Sequence, residues 1–333
     1  MPISSALGSS ALLPAGLGFR NVLINGDFRV WQRGTSTTGY AYSADRWLAY
    51  QAAAVNTISR QSTSLNGFPY CARVQRNSGA TNTGPTYLVQ AVESINGYQF
   101  QGKTATLSFY ARAGANFSSS GSALTVNIET STGTDQSYIA AWAGGVSIPS
   151  SKTLTTSWQL FTVTGVVPAT ANQVAVAFVY TPTGTAGAAD YFEITGVQLE
   201  QNIQPTPFEQ RPIGTELALC QRYYYLHTPS VGNTQKAIGV GVWYNATQLH
   251  VIIKLAQIMR AQPTLIMPNG AGYYVAYQAS AAVLISSLSL ETGASTTTQV
   301  ELYAGGLSGG TAGYASMFRT DNVAGSVAFS AEL

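Results

Sequence analysis

"TATLSFYARA", residues 104–113, puts Ala105, Leu107, Phe109 and Ala111 on one side of an extended chain and Thr106, Ser108, Tyr110 and Arg112 on the other. Successive side chains of a strand point to opposite faces, so this alternation predicts a strand with one face in a core and one toward solvent. "LTVNIETS" (124–131) repeats the pattern with Leu124, Val126 and Ile128, and "QVAVAFVY" (173–180) repeats it with Val174, Val176, Phe178 and Tyr180. Clusters of Gly, Asn, Ser and Thr separate these runs, as turns do. Several such strands without helical periodicity predict an all-β, antiparallel jelly-roll β-sandwich over 21–204.

The period changes once. "QNIQPTPFEQRPIGTELALCQRYYYL" (201–226) carries Pro205, Pro207 and Pro212, then a short helix predicted over 215–226. Thr215 is its expected N-cap, and Leu217, Cys220 and Tyr224 share one face at i, i+3 and i+7. Residues 205–229 read as a linker holding this helix. Beyond it, Leu249, Val251, Ile253 and Leu255 alternate again, and four further strand-like runs follow, from "AGYYVAYQA" (271–279) to "GSVAFSAEL" (325–333). They predict a second, smaller β-sandwich over 230–333. Residues 1–20 are small, mildly apolar and uncharged until Arg20. An arm of that composition is expected to dock on another protein, because it would otherwise expose apolar surface.

Composition narrows the function. Charged residues make up 9% of the 333, against roughly 25% in ordinary globular chains, while hydrophobic content is 45%. A packed core is therefore expected under a neutral, hydroxyl-rich surface. A net charge of +2 without a basic run gives no reason to expect nucleic acid. No apolar run of about 18 residues predicts membrane insertion, and residues 1–19 lack the basic start of a secretory signal. Cys71 and Cys220 read as two buried thiols. His227 and His250 have no partner at metal-ligand spacing, and no nucleophile elbow, phosphate loop or dinucleotide fingerprint occurs. Catalysis by two carboxylates needs only acids, of which there are 14. Glu193 and Glu200, in "YFEITGVQLE", read as solvated residues on the outer face of a strand. The expected cofactor content is none. Calcium is weighed as an option, because Asn25, Asp27 and Asp45 would meet Asp190 and Glu193 if the first and last strands of the sandwich lay side by side.

Aromatic residues are the richer resource. Neutral sugars bind aromatic faces flanked by amides and hydroxyls, and the chain has 19 tyrosines and 5 tryptophans. Trp142, where a strand runs into a glycine turn, and Tyr273, Tyr274, Tyr303 and Tyr314, among small polar residues, are the glycan-binding candidates. For each of them core packing is the competing assignment.

"NVLINGDFRVWQRGTS" (21–36) is read as a turn at Asn25-Gly26 that starts a strand, with Phe28 and Val30 facing one way and the charged residues on the rim. With "YSADRW", "GKTATLSFYARA", "YFEITGVQLEQ" and "PTPFEQRPIGTELALCQRYYY" in order, then "MRAQPTL" and "SVAFSAEL", it resembles bacteriophage tail-fibre and receptor-binding proteins from residue 19 to 333. The first domain is similar, more remotely, to carbohydrate-binding modules that open on "NGDFE" and use that Glu in a structural calcium site. Arg29 stands in its place, and Thr195-Gly196 replaces a terminal acidic pair.

The resemblance implies a virion protein assembled in the host cytoplasm, homotrimeric and non-enzymatic, anchored to other tail or virion proteins by residues 1–20. Its partner would be host cell-surface polysaccharide; 230–333, distal if the chain runs outward and carrying Tyr273, Tyr274, Tyr303 and Tyr314, is the expected receptor-binding domain. Two alternatives stay open: a purely structural virion component, such as a baseplate adaptor or capsid-decorating fibre, and a virion glycan hydrolase.

Overall fold

The computed structural model describes residues 19–51, 56–230, 234–268, 270 and 272–333. Nearly all of the expected arm thus lies outside the described residues. Every strand pairing described is antiparallel, and the first sandwich is built from two six-stranded sheets.

One sheet runs in the order Ser36–Thr38, Asn56–Ser62, Tyr70–Arg76, Tyr191–Gln201, Thr104–Ala113 and Gln159–Val166. The other runs Ala41–Tyr42, Leu48–Gln51, Thr86–Ala91, Gln173–Tyr180, Ala123–Ser131 and Ser147–Thr153. Ala105, Leu107, Phe109 and Ala111 lie in the core between them, with Val126, Ile128, Val176 and Phe178 from the facing sheet. The other face of Thr104–Ala113 is not open throughout. Thr106 and Ser108 are buried, because the chain after Gln201 folds back over them and Thr106 donates to the Asn202 carbonyl at 2.7 Å.

The opening segment is a correction. Residues 25–34 form no strand: Asn25 and Phe28 take positive φ of 58° and 55°, which breaks any ladder. The Asn25 side chain holds the segment instead. Its amide donates to the Val30 carbonyl at 2.8 Å, and its oxygen accepts from the Val30 N–H at 2.9 Å. The resulting plug seats Phe28 against Trp47, 5.1 Å between ring centroids, and closes one end of the sandwich. Only glycine fits at residue 26, because a Cβ there would stand 2.1 Å from the Val197 carbonyl oxygen. The charged residues do not form a solvated rim either. Asp27 is buried against Arg29, and Arg33 turns toward the second sandwich.

The helix is Ile213–Gln221, earlier and shorter than 215–226, with Pro212 rather than Thr215 at its N-cap. Its buried residues are Glu216 and Cys220, one turn apart, and Leu217 is only half-buried. Glu216 faces inward because the plug needs an acceptor: its carboxylate takes the Asn25 N–H and lies 3.4 Å from Arg211. Tyr224 is not helical. It begins the strand Tyr224–Thr228, which pairs with Val327–Ser330, itself flanked by Thr264–Ile266.

That three-stranded sheet covers a seven-stranded one, in the order Ala281–Ile285, Tyr274–Gln278, Ala315–Thr320, Ala237–Asn245, Gln248–Lys254, Gln299–Ala304 and Ser289–Leu290. Trp243, Leu249, Val251, Tyr274 and Phe318 meet Val327 and Phe329 in one core, so this is a second, smaller sandwich. Among the described residues no helix is long and apolar enough to cross a membrane.

The two sandwiches are clasped. Glu332 reaches Arg33 at 3.0 Å and the buried Arg46, while the Tyr42 hydroxyl donates to the Leu333 carbonyl at 2.9 Å. Arg33 lies 3.6 Å from the centroid of the Tyr224 ring and Arg46 3.5 Å from that of Tyr223. Gln32 donates to the Tyr224 carbonyl at 2.8 Å and accepts from the Leu226 N–H at 3.2 Å, acting as one more rung on that edge strand.

Candidate functional site

The carboxylates come first, because they decide both the calcium and the two-acid readings. Each acid of the calcium set has an arginine. Asp27 pairs with Arg29 at 2.5 Å, Asp190 with Arg76 at 3.0 Å, and Glu193 with Arg73 and Arg112 at 2.6 Å each. Asp45 accepts from the Gln32 N–H at 2.9 Å and has Arg33 at 3.9 Å. Guanidinium groups thus sit where the calcium reading needed a cation, and no three acidic, His or Cys side chains converge among the described residues. The calcium option is corrected on that ground. Glu193 and Glu200 are corrected too: neither is solvated. Glu193 lies under its two arginines, which stack on Tyr191 and Trp158, and Glu200 accepts from the Thr206 N–H at 2.8 Å. Both thiols are buried, and burial pushes that of Cys71 up to about 12.

The five aromatic candidates do not form one site. Tyr274 is corrected: it is fully buried, and its hydroxyl donates to the Pro268 and Ser326 carbonyls at 3.0 and 2.9 Å. Tyr273 packs half-buried against the same core. Tyr314 is exposed in a turn, and Tyr303 stacks on His250 at 5.8 Å on the outer face of the seven-stranded sheet. Trp142 lies elsewhere, on the outer face of a jelly-roll sheet.

That face is built by parity. Along Gln173–Tyr180 the large residues turn into the core, so Ala175, Ala177 and Val179 turn out and join Val89 in a small apolar floor. Tyr138 and Trp142, from the turn after Ala123–Ser131, lie on this floor with ring centroids 5.4 Å apart. Tyr87 also packs there and continues the aromatic surface to Tyr50, its cross-strand partner at 5.6 Å, and then to Tyr40 at 6.0 Å. Tyr40 is 59% exposed, so the stripe opens to solvent at that end.

Polar groups border it. Asn127 pairs across the ladder with Ala177, and Glu129 with Ala175. Glu129 accepts from the Asn127 amide at 2.8 Å and the Ser147 hydroxyl at 3.2 Å. Burial first, and the Glu129 charge second, raise the Tyr138 phenol above its usual range, so that hydroxyl is a donor. The Trp142 indole N–H and the Asn127 side-chain oxygen are buried and have no partner among the described residues. One is a donor and the other an acceptor, and buried polar groups are normally satisfied. Flat rings bordered by polar side chains are what a sugar needs, with ring faces for C–H groups and hydrogen bonds for hydroxyls.

No protein-family model and no curated protein matches the sequence. Among solved structures, the enzymatically active domain of tailspike protein 4 of bacteriophage CBA120 is similar at 13% identity and a TM-score of 0.34. The match covers 55% of this chain and 22% of that one. The carbohydrate-binding module TmCBM61, solved with β-1,4-galactotriose, is similar at 13% identity and TM-score 0.34, over 55% of this chain and 100% of the module. The CBM22-1–GH10 modules of Clostridium thermocellum xylanase 10B, solved with xylohexaose, also give 13% and 0.34, over 56% of this chain and 29% of theirs.

The sequence singles out Trp142 but not the rings that lie beside it. Tyr50 and Tyr87 lie 37 residues apart and meet only through strand register, so no local signal joins them.

Proposed function

We propose that this chain binds a neutral glycan on the outer face of the jelly-roll sheet, with Trp142, Tyr138, Tyr87 and Tyr50 as ring contacts and Asn127 and Glu129 as hydrogen-bonding partners. The observation that carries this reading is the continuous, partly open aromatic stripe from Trp142 and Tyr138 through Tyr87 and Tyr50 to the exposed Tyr40, bordered by Glu129. It moves the receptor site from 230–333, where one of the tyrosine candidates is interior, to the first sandwich.

The wider setting belongs to the same proposal: a non-enzymatic bacteriophage virion component, homotrimeric, attached to the particle through residues 1–20 and adsorbing to host polysaccharide. Its support is the ordered series of tail-fibre-like motifs from residue 19 to 333.

Affinity electrophoresis through gels of neutral bacterial and plant polysaccharides tests the site. At least one polysaccharide should retard the protein. Trp142→Ala and Tyr87→Ala should each weaken retardation by about tenfold or more, as loss of a central aromatic contact does. Tyr314→Ala should leave it unchanged. No retardation by any polysaccharide, or equal retardation of Trp142→Ala, overturns the assignment. Release of reducing ends from the bound polysaccharide would instead favour the hydrolase reading.

A further inference from the structure

The other sandwich carries a different surface. On the outer face of the seven-stranded sheet, Val240, Val242, Tyr244, Ile252, Met317 and Leu284 are each between 49% and 73% exposed. Register aligns the central three, Met317, Val240 and Ile252, while Leu284 lies farther out, past Val275. Met317 pairs with Val240, and Val242 with His250, which sets Ile252 beside Val240; Ile252 then pairs with Glu301. An apolar row therefore crosses three adjacent strands with no charge inside it. Six half-open side chains of this size make a patch on the order of 600 Å², at the top of the ~300–600 Å² expected of a monomer's largest patch and approaching the ~800 Å² each partner gives a specific interface.

Chemistry selects the occupant. Branched aliphatic side chains offer no flat ring and no hydrogen bond, so the centre of this face suits a protein surface rather than a sugar. Its charges stand apart. Arg319, 5.8 Å from the centroid of the Tyr277 ring, is on one side, and Glu301, with His250 at 2.6 Å, is three strands away on the other, while Lys254 flanks the row two residues along the strand from Ile252. A face with an apolar middle, a cation on one side and an acid on the other complements itself when copies are arranged around an axis along the strands. The Arg319 side of one copy then meets the Glu301 side of the next.

We propose that this face is a self-association surface, on which copies of this chain meet through Val240, Ile252 and Met317, with Arg319 against Glu301 across the seam. The inference rests on the homotrimeric reading above, for which it names the contact face, and not on glycan binding by the first sandwich.

Sedimentation of the full chain at micromolar concentration should show an assembly of more than one chain. Ile252→Glu, an exposed substitution that the fold should tolerate, should raise the dissociation constant at least about tenfold, with circular dichroism unchanged. Arg319→Glu should weaken assembly, and the double swap of Arg319→Glu with Glu301→Arg should restore it. A monomeric wild-type chain overturns both the proposal and the homotrimer. A wild-type assembly unaffected by Ile252→Glu overturns the face alone, including one lost only on removing residues 1–18, which would make the arm the contact.

Discussion

A buried acid shows how finely this chain sets single residues. Asp45 is fully buried, and burial, opposed by Arg33, raises its carboxyl to about 6 from an ordinary value of 3.8. The folded state therefore holds this proton more tightly than the unfolded chain does. Between pH 4 and 6 the folded form binds more protons, so Asp45's contribution to stability falls as pH rises through that window and is least favourable above 6. The two-unit difference corresponds to at most about 3 kcal/mol. Asp45→Asn should raise the urea midpoint at pH 8 more than at pH 5. Equal changes at both pH values would show that Asp45 is ionised throughout. Such a site was not legible in the sequence, where Asp45 read as one oxygen of a calcium set. Composition cannot show that Arg29, Arg33, Arg73, Arg76 and Arg112 are each folded onto an acid. Trp142 was legible as a ring carried out of the core by a turn. The tyrosines beside it depend on register between distant strands, which no local pattern encodes.

At the scale of elements, alternation carried most of the information. Ala105, Leu107, Phe109 and Ala111 face the core as their spacing demands, because strand parity is a local property. It failed where cover comes from afar: Thr106 is buried by chain nearly a hundred residues later, and Glu216 turns inward to serve the plug. The plug itself escaped because Asn25 takes a left-handed conformation that breaks strand period. Its sharpest constraint is Gly26. A methyl group there meets the Val197 carbonyl, whose own residue donates its N–H to the Gly26 carbonyl at 2.9 Å, so neither backbone can withdraw freely. Gly26→Ala should destabilise the protein by about 1–3 kcal/mol, the usual cost of forced overpacking. Urea denaturation measures this, and a midpoint within error of wild type would mean that the two segments separate without penalty.

For the whole molecule, the decisive contact is the clasp of Arg33 and Arg46 on Glu332. A buried ion pair adds little over an apolar contact of the same shape, but removing one partner strands the other at about 3–5 kcal/mol. Glu332→Ala leaves the buried Arg46 without its carboxylate, and the seam between the sandwiches should weaken more than either core. Calorimetry should then resolve two unfolding transitions where the wild type shows one. A single transition at an unchanged temperature would mean that Gln32, Tyr223 and Tyr224 hold the seam without the charges. Arg33 and Glu332 stand 299 positions apart in the chain, so their contact closes the polypeptide into a loop. Tension applied between the two sandwiches is therefore shared by two mechanical paths in parallel: the covalent tether through 205–212 and the ionic clasp. The clasp stiffens the hinge against bending, and if it is pulled open the tether still prevents separation and brings the halves back in register.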